Sequence, residues 1–192
     1  MSILTIGLII FLGLHSMRIF ADGWRGDKKA QWGEGAWKGL YSVASLIGLA
    51  LIIWGYSLAR QQPVVLWVPP VATRHIAALL MLFAFIMLAA AYVPDNAIKA
   101  KLRHPMTLSV KTWALAHVLA NGNLADVVLC GSFLIWAVLC FIAARKRDRA
   151  AATVYPAGKA VPTVITIVIG LAVYVVFALY LHKWLIGVPV FR

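Results

Sequence analysis

Five long apolar runs dominate the sequence, and charged, proline and glycine residues separate them. A transmembrane helix needs about 20 mainly apolar residues. Cutting the chain at its charged and Pro/Gly clusters gives five such segments. They are Ser2–Phe20, 40–59, 76–93, 125–144 and 161–181. We therefore expect five membrane-spanning helices.

A sixth segment, residues 98–120, has a mixed pattern. It contains Lys99, Lys101, Arg103, His104 and Lys111, so only residues 112–120 suit hydrocarbon. We expect a helix that starts in the cytoplasm, enters part of the bilayer and ends at the Asn-Gly-Asn turn of 121–123. The fold class predicted is all-α: a polytopic membrane bundle of about six segments, with residues 1–192 in one domain.

Composition excludes an ordinary soluble domain. Of the 192 residues, 63% are apolar and 12% are charged, and the mean hydropathy is +0.89. Soluble domains carry roughly 25% charged residues. The 18 Lys and Arg residues outnumber 6 Asp and Glu residues, for a net charge of +12. In a membrane protein such an excess indicates cytoplasmic loops beside anionic lipid, and no nucleic-acid partner is expected.

The basic residues predict an orientation. Residues 18–38, 99–111 and 145–159 hold five, four and five Lys or Arg residues, which is 14 of the 18. The positive-inside rule places these connections in the cytoplasm and both termini outside. We therefore expect a multi-pass protein of the cell inner membrane.

Two histidines lie inside predicted spans, where an unpaired ionisable group costs several kcal/mol. His15 precedes Arg18 by three residues, about 5 Å, and His117 follows Lys111 by six, about 9 Å. Two imidazoles at one depth on different helices are suited to bind haem iron. The alternative is that each only hydrogen-bonds a neighbouring helix.

Other residues provide further candidates around this pair. His104 is about 20 Å from His117 along a continuous helix, so both cannot ligate one iron if that helix is unbroken. Arg103-His104-Pro105 has the pattern of a helix start, where free backbone N–H groups bind an anion or simply cap the helix. Cys130 is an alternative soft ligand. No Cys-x-x-Cys-His motif occurs, so a haem would be non-covalent.

Six short strings are distinctive: residues 13–18, 19–25, 37–42, 102–106, 113–122 and 182–189. They resemble the NnrU family of bacterial membrane proteins, which is associated with nitrogen-oxide respiration, and its relative zeta-carotene isomerase. The likeness to NnrU runs nearly end to end, whereas the isomerase shares mainly the Leu-His-Ser, Arg-His-Pro and Leu-Ala-His strings.

The resemblance to the isomerase implies a haem b protein with His15 and His117 as axial ligands. Such a bis-histidine iron has no open site, so chemistry on a substrate requires one ligand to leave. His117 is expected to move, with Cys130 or His104 taking part. Arg18 and Lys111 are candidate propionate partners, and Arg103 is a candidate anion partner.

The expected function is redox-dependent chemistry, either isomerase-like on a small hydrophobic substrate or linked to nitrogen-oxide metabolism. One alternative is a non-enzymatic assembly or maturation factor for a respiratory nitric oxide reductase. A second is a membrane methyltransferase or sterol reductase, because these carry a similar Arg-His-Pro motif. That signal is weak, since Met106-Thr107-Leu108-Ser109 follows where those families have an aromatic residue and glycine.

Overall fold

The computed structural model describes residues 1–191, which form eight helices and their connections. They are α1 Ser2–Phe20, α2 Asp22–Trp32, α3 Glu34–Gln61, α4 Val71–Tyr92, α5 Ala97–Leu102, α6 Pro105–Ala120, α7 Leu124–Ala150 and α8 Ala160–Ile186. Helix α8 contains a π-helical turn at Phe177–Leu181 and ends with the α-helical residues His182–Ile186.

Five helices are long and apolar enough to cross a membrane: α1, α3, α4, α7 and α8. Their most apolar windows have mean hydropathies of 1.8–2.7, yet only 17–22% of each window is buried inside the protein. Large apolar side chains such as Ile9, Leu46 and Ile135 point away from the bundle and are more than 60% exposed. Such a surface requires lipid around it. The prediction of a polytopic helical membrane protein is confirmed.

The helices extend beyond the predicted apolar segments where charged residues continue the helical turn. The first helix has the predicted bounds, whereas α3 starts at Glu34, six residues before the predicted start. Lys38 and Glu34 form an i,i+4 ion pair of 2.9 Å in its first turns. At the far end of α7, the basic run after Ala144 stays helical to Ala150.

The mixed segment 98–120 is two helices and not one. Arg103 has a positive φ of 68°, which ends α5, and His104 then caps α6 with Pro105 in its first turn. The predicted helix start at His104-Pro105 is confirmed, and the expectation of one continuous segment is wrong. The reason is local: a residue before proline disfavours α geometry, and proline is tolerated at the start of a helix.

The other end of α6 is covered by the connection between α3 and α4. The amide of Leu66 donates to the Gly122 carbonyl and the amide of Leu124 donates to the Val64 carbonyl, both at 2.8 Å. A side chain at Gly122 would overlap the Trp67 carbonyl. The connection therefore folds over the end of this short helix.

The helices pack in the order α3, α1, α7, α6, α4, α8, and α2 contacts only α1 and α3. The two ends of this row meet where the Arg60 guanidinium donates to the Ile186 carbonyl at 2.6 Å. At the other end of the bundle, Arg147 donates to the Arg18 carbonyl and Lys159 pairs with Asp95, each at 2.9 Å. We call the end with Arg18, Arg147 and Lys159 the basic end, and the end with Arg60 and Ile186 the opposite end.

Helices α1 and α3 touch through their backbones. An added Cβ at Gly55 would lie 2.3 Å from the Leu4 amide nitrogen, and one at Gly7 would lie 2.7 Å from that of Ile52. One at Gly48 would lie 2.9 Å from the Phe11 amide nitrogen. Small residues allow this approach, and membrane helices depend on such packing because lipid does not drive apolar surfaces together.

Gly55→Val should therefore destabilise the protein by about 1–3 kcal/mol or more. The new side chain would overlap backbone atoms, which cannot move aside by changing rotamer as a side chain can. Thermal unfolding in detergent measures the loss. Gly13→Val is the matched control, since a Cβ on Gly13 of the same helix pair meets nothing within 4 Å. Equal unfolding temperatures for the two variants would contradict the close contact.

Candidate functional site

Two cavities lie at different heights in the bundle. The basic-end cavity has a volume of about 620 Å³ and is lined by His15, His104 and several cationic side chains. The opposite-end cavity has a volume of about 500 Å³ and is lined by His117, His182 and mainly apolar side chains. Each volume is in the range of small-molecule sites. The two histidines predicted to share one iron thus line different cavities.

His15 and His117 have the same local geometry. Nδ1 of His15 donates to the Phe11 carbonyl at 2.7 Å, and Nδ1 of His117 donates to the Trp113 carbonyl at 2.9 Å. A carbonyl only accepts, so the proton of the neutral ring is on Nδ1. Nε2 of each ring then carries the lone pair and has no hydrogen-bond partner within residues 1–191. Each imidazole has the form in which histidine ligates a metal, with the second nitrogen held by a carbonyl.

Three aromatic rings separate the two imidazoles. Phe133 of α7 lies 5.9 Å from Phe11 of α1 and 5.5 Å from Trp113 of α6, measured between ring centroids. His15 stacks on Phe11 at 4.2 Å, and His117 lies 5.3 Å from Trp113. We call Phe11, Trp113 and Phe133 the aromatic layer. One histidine flanks this layer on its basic side and the other on its opposite side.

The expectation that the two histidines lie at one depth is wrong, because Lys111 is not level with Arg18. The Lys111 ammonium lies over the Phe141 ring at 5.7 Å, whereas the Arg18 carbonyl meets Arg147. These α7 positions differ by six residues, or about 9 Å along the helix. Counting from Lys111 therefore places His117 too close to the basic end.

Of the three basic residues predicted to bind an anion, one lines a cavity. Arg18 lines the basic-end cavity with His15. The Arg103 guanidinium instead lies over the Tyr155 ring at 5.5 Å, and Lys111 lies over Phe141. Neither lines the basic-end cavity.

His104 belongs to a separate polar cluster at the basic end. Its Nε2 lies 2.8 Å from Oδ2 of Asp148, and the Tyr155 hydroxyl donates to both oxygens of that carboxylate at 3.1–3.2 Å. Burial, followed by the bond to Asp148, raises the pKa of Tyr155, so its hydroxyl stays a donor. Among the described residues that line the basic-end cavity, Asp148 is the only one with a carboxylate.

The two cysteines are free, and each lines a different cavity. Cys130 is buried in the opposite-end cavity with His117, and Cys140 lines the basic-end cavity. Within residues 1–191, no three His, Cys, Asp or Glu side chains gather closely enough to hold a metal ion. Metal binding by protein side chains alone is therefore not indicated in this part, whereas a haem needs only one or two axial ligands.

Comparison with known proteins gives one match. The sequence model of the family described as NnrU protein matches residues 3–190. The chain belongs to the NnrU family. No curated protein and no solved structure matches it.

In this NnrU-family protein the opposite-end cavity contains a polar pair that the sequence did not indicate. The Tyr56 hydroxyl of α3 donates to Oδ1 of Asp126 on α7 at 2.5 Å, and Asn123 donates to Oδ2 at 2.9 Å. Asp126 is buried and lies in the first turn of its helix, where a carboxylate is stabilised. The partners are 70 residues apart, so spacing could not have paired them.

Tyr56→Phe should lower stability by about 1–3 kcal/mol, since it leaves the buried Asp126 carboxyl group short of one donor. In a double-mutant cycle, the loss on adding Tyr56→Phe to Asp126→Ala should be smaller than the loss from Tyr56→Phe alone. Unfolding in detergent measures all four proteins. The matched control is Tyr92→Phe, because Tyr92 is 72% exposed. Additive losses in the cycle would rule out the bond.

Proposed function

We propose that this NnrU-family protein binds haem b non-covalently in the membrane, with His15 and His117 as the axial ligands. The observation that carries the proposal is the matched geometry of the two imidazoles. Both hold Nδ1 on the preceding-turn carbonyl and leave Nε2 without a protein partner on the two sides of the aromatic layer.

The two free Nε2 atoms suit haem iron, but the side chains packed between the histidines would have to move before both could bind it. Helices α1 and α6 do not contact each other, and side chains of the aromatic layer occupy the space between them. Binding one iron with both histidines requires these side chains to rotate out of that space. Beside His15, the Trp136 indole N–H is buried without a partner in the described part of the chain, which supports a missing polar group there.

The surroundings of the two histidines differ in a way that would orient haem b. The basic-end cavity holds Arg18 one turn from His15, and a guanidinium binds a carboxylate in bidentate fashion. The opposite-end cavity has aromatic walls, including Trp113, Phe85 and Phe177, and it also contains Arg60 and Arg74. Five Lys and Arg side chains line the basic-end cavity, so we expect the propionates to lie towards that end. Haem would supply one-electron chemistry when bound.

The expected activity is redox-dependent chemistry on a small hydrophobic molecule, as the likeness to zeta-carotene isomerase implies, or a step linked to nitrogen-oxide metabolism. The apolar cavity beside His117 supports the first, because a substrate there would lie next to an axial ligand. The segregation of basic residues supports an inner-membrane protein whose basic end faces the cytoplasm, with about six membrane segments, one of them short or half-embedded, and both termini outside.

Absorption spectra of the detergent-purified protein, oxidised and reduced, test the proposal. We expect a Soret band typical of a six-coordinate low-spin haem. His15→Ala and His117→Ala should each lose the band or convert it to a high-spin form, because one axial ligand is gone.

The controls are His182→Ala, which changes the same cavity as His117, and His75→Ala, which changes an exposed residue. Both should keep the wild-type spectrum. A protein made with ample haem and showing no Soret band would refute haem binding. Loss of the low-spin form in His104→Ala but not in His117→Ala would instead pair the two histidines of the basic-end cavity and refute the assignment.

A further inference from the structure

We propose that the basic-end cavity binds the phosphate head group of an anionic membrane lipid. Five cationic side chains from four helices line this one cavity. They are Arg18 of α1, Arg25 and Lys29 of α2, Lys38 of α3 and Arg147 of α7. A cleft lined by charges of one sign concentrates ligands of the opposite sign, so this lining indicates an acidic ligand.

Among the described residues, the cavity lining contains one carboxylate against five Lys and Arg side chains. Its one carboxylate, Asp148, already accepts from His104 and Tyr155. No described carboxylate lies within ion-pair distance of Arg18 or Arg147. The other three cations form ion pairs with carboxylates that are exposed and do not line the cavity: Arg25 with Asp22 at 3.5 Å, and Lys29 and Lys38 with Glu34 at 3.4 and 2.9 Å. Exposed ion pairs contribute little to stability, so a phosphate group can compete with these carboxylates for the cations.

Helix α2 forms one wall of the cavity and has the features of a membrane-surface helix. It has no buried residue and contacts only α1 and α3. Arg25 and Lys29, one turn apart, line the cavity, while Trp24 and Trp32 are 50% and 44% exposed. Indole rings prefer the membrane interface, so these tryptophans place the cavity at the level of lipid head groups.

The remaining walls suit a phosphate attached to an apolar chain. Hydroxyl groups of Ser42, Thr107 and Thr153 line the cavity and can donate to phosphate oxygens. Leu14, Trp37 and Ala144 supply an apolar surface beside them. Arginine binds phosphate through two parallel N–H bonds, and basic pockets between membrane helices bind lipid phosphates. Arg18 is shared with the proposed propionate site, but the inference does not rest on the proposed haem, because the phosphate is assigned to the wall formed by Arg25 and Lys29.

The test compares two variants that lose the same charge at the same end of the protein. Arg25→Gln/Lys29→Gln removes the two cavity-lining cations of α2. Lys28→Gln/Arg149→Gln is the matched control, because neither side chain lines the cavity and Arg149 is exposed. Both variants keep Arg18, so the predicted propionate partner of haem is unchanged.

Native mass spectrometry of the detergent-purified protein measures binding of phosphatidylglycerol, with phosphatidylcholine and inorganic phosphate as comparison ligands. We expect phosphatidylglycerol to bind more tightly than phosphatidylcholine. We also expect Arg25→Gln/Lys29→Gln to weaken that binding on the order of tenfold, since charge-assisted bonds are lost, and the control to leave it unchanged.

Three outcomes would overturn the proposal. Equal weakening in the two variants would show general attraction of a basic surface to acidic lipid. Inorganic phosphate that binds as tightly as the lipid and displaces it would make the ligand a soluble anion. Loss of bound haem in Arg25→Gln/Lys29→Gln with unchanged lipid binding would assign these cations to haem. Haem content is measured on the same samples, so the lipid site and the proposed haem function can fail separately.

Discussion

Backbone contact between α1 and α3 is the constraint on which the other parts of the bundle depend. In lipid, apolar surfaces gain little by meeting each other, so helices associate where their backbones approach closely or where polar groups pair. Gly7, Gly48 and Gly55 provide the close approach. The resulting pair of helices carries α2 at its basic end and turns one face of α1 towards α7. His15 and Phe11 lie at that second contact, against Trp136 and Phe133 of α7.

Hydrogen bonds between helices, at three levels of the bundle, then hold α3, α4, α6 and α7 together. Tyr56 and Asp126 join α3 to α7 near the opposite end. In the interior, the buried Ser109 hydroxyl of α6 donates to the Ala84 carbonyl of α4 at 2.7 Å. His104 and Asp148 join the start of α6 to the end of α7. Because α7 takes part in two of these ties and also contacts α1, it determines how α1 and α6 face each other across the aromatic layer.

The sequence predicted the apolar helices and the helix start at Pro105, because these depend on composition and on local backbone chemistry. Two features of the site depended on contacts that no local pattern records. Lys111 was taken as a boundary residue, but its ammonium lies over Phe141 inside the predicted membrane boundary. Asp126 was overlooked because its partner Tyr56 is 70 residues away. Such polar contacts stabilise a helical bundle in the bilayer, but only the folded structure shows which side chains form them.

The aromatic layer separates two environments of opposite character, and this limits what can occupy both. On one side five Lys and Arg side chains line the walls, and on the other the walls are mainly apolar and aromatic, with Arg60 and Arg74 among their polar groups. A haem bound through both histidines would contact His15 and His117 on its two faces, so its propionates would have to reach the cationic side chains from the edge of the ring. A lipid phosphate needs only the basic-end cavity, near the α2 wall formed by Arg25 and Lys29. The two proposed ligands thus place different demands on the protein, since only haem requires the aromatic layer to open.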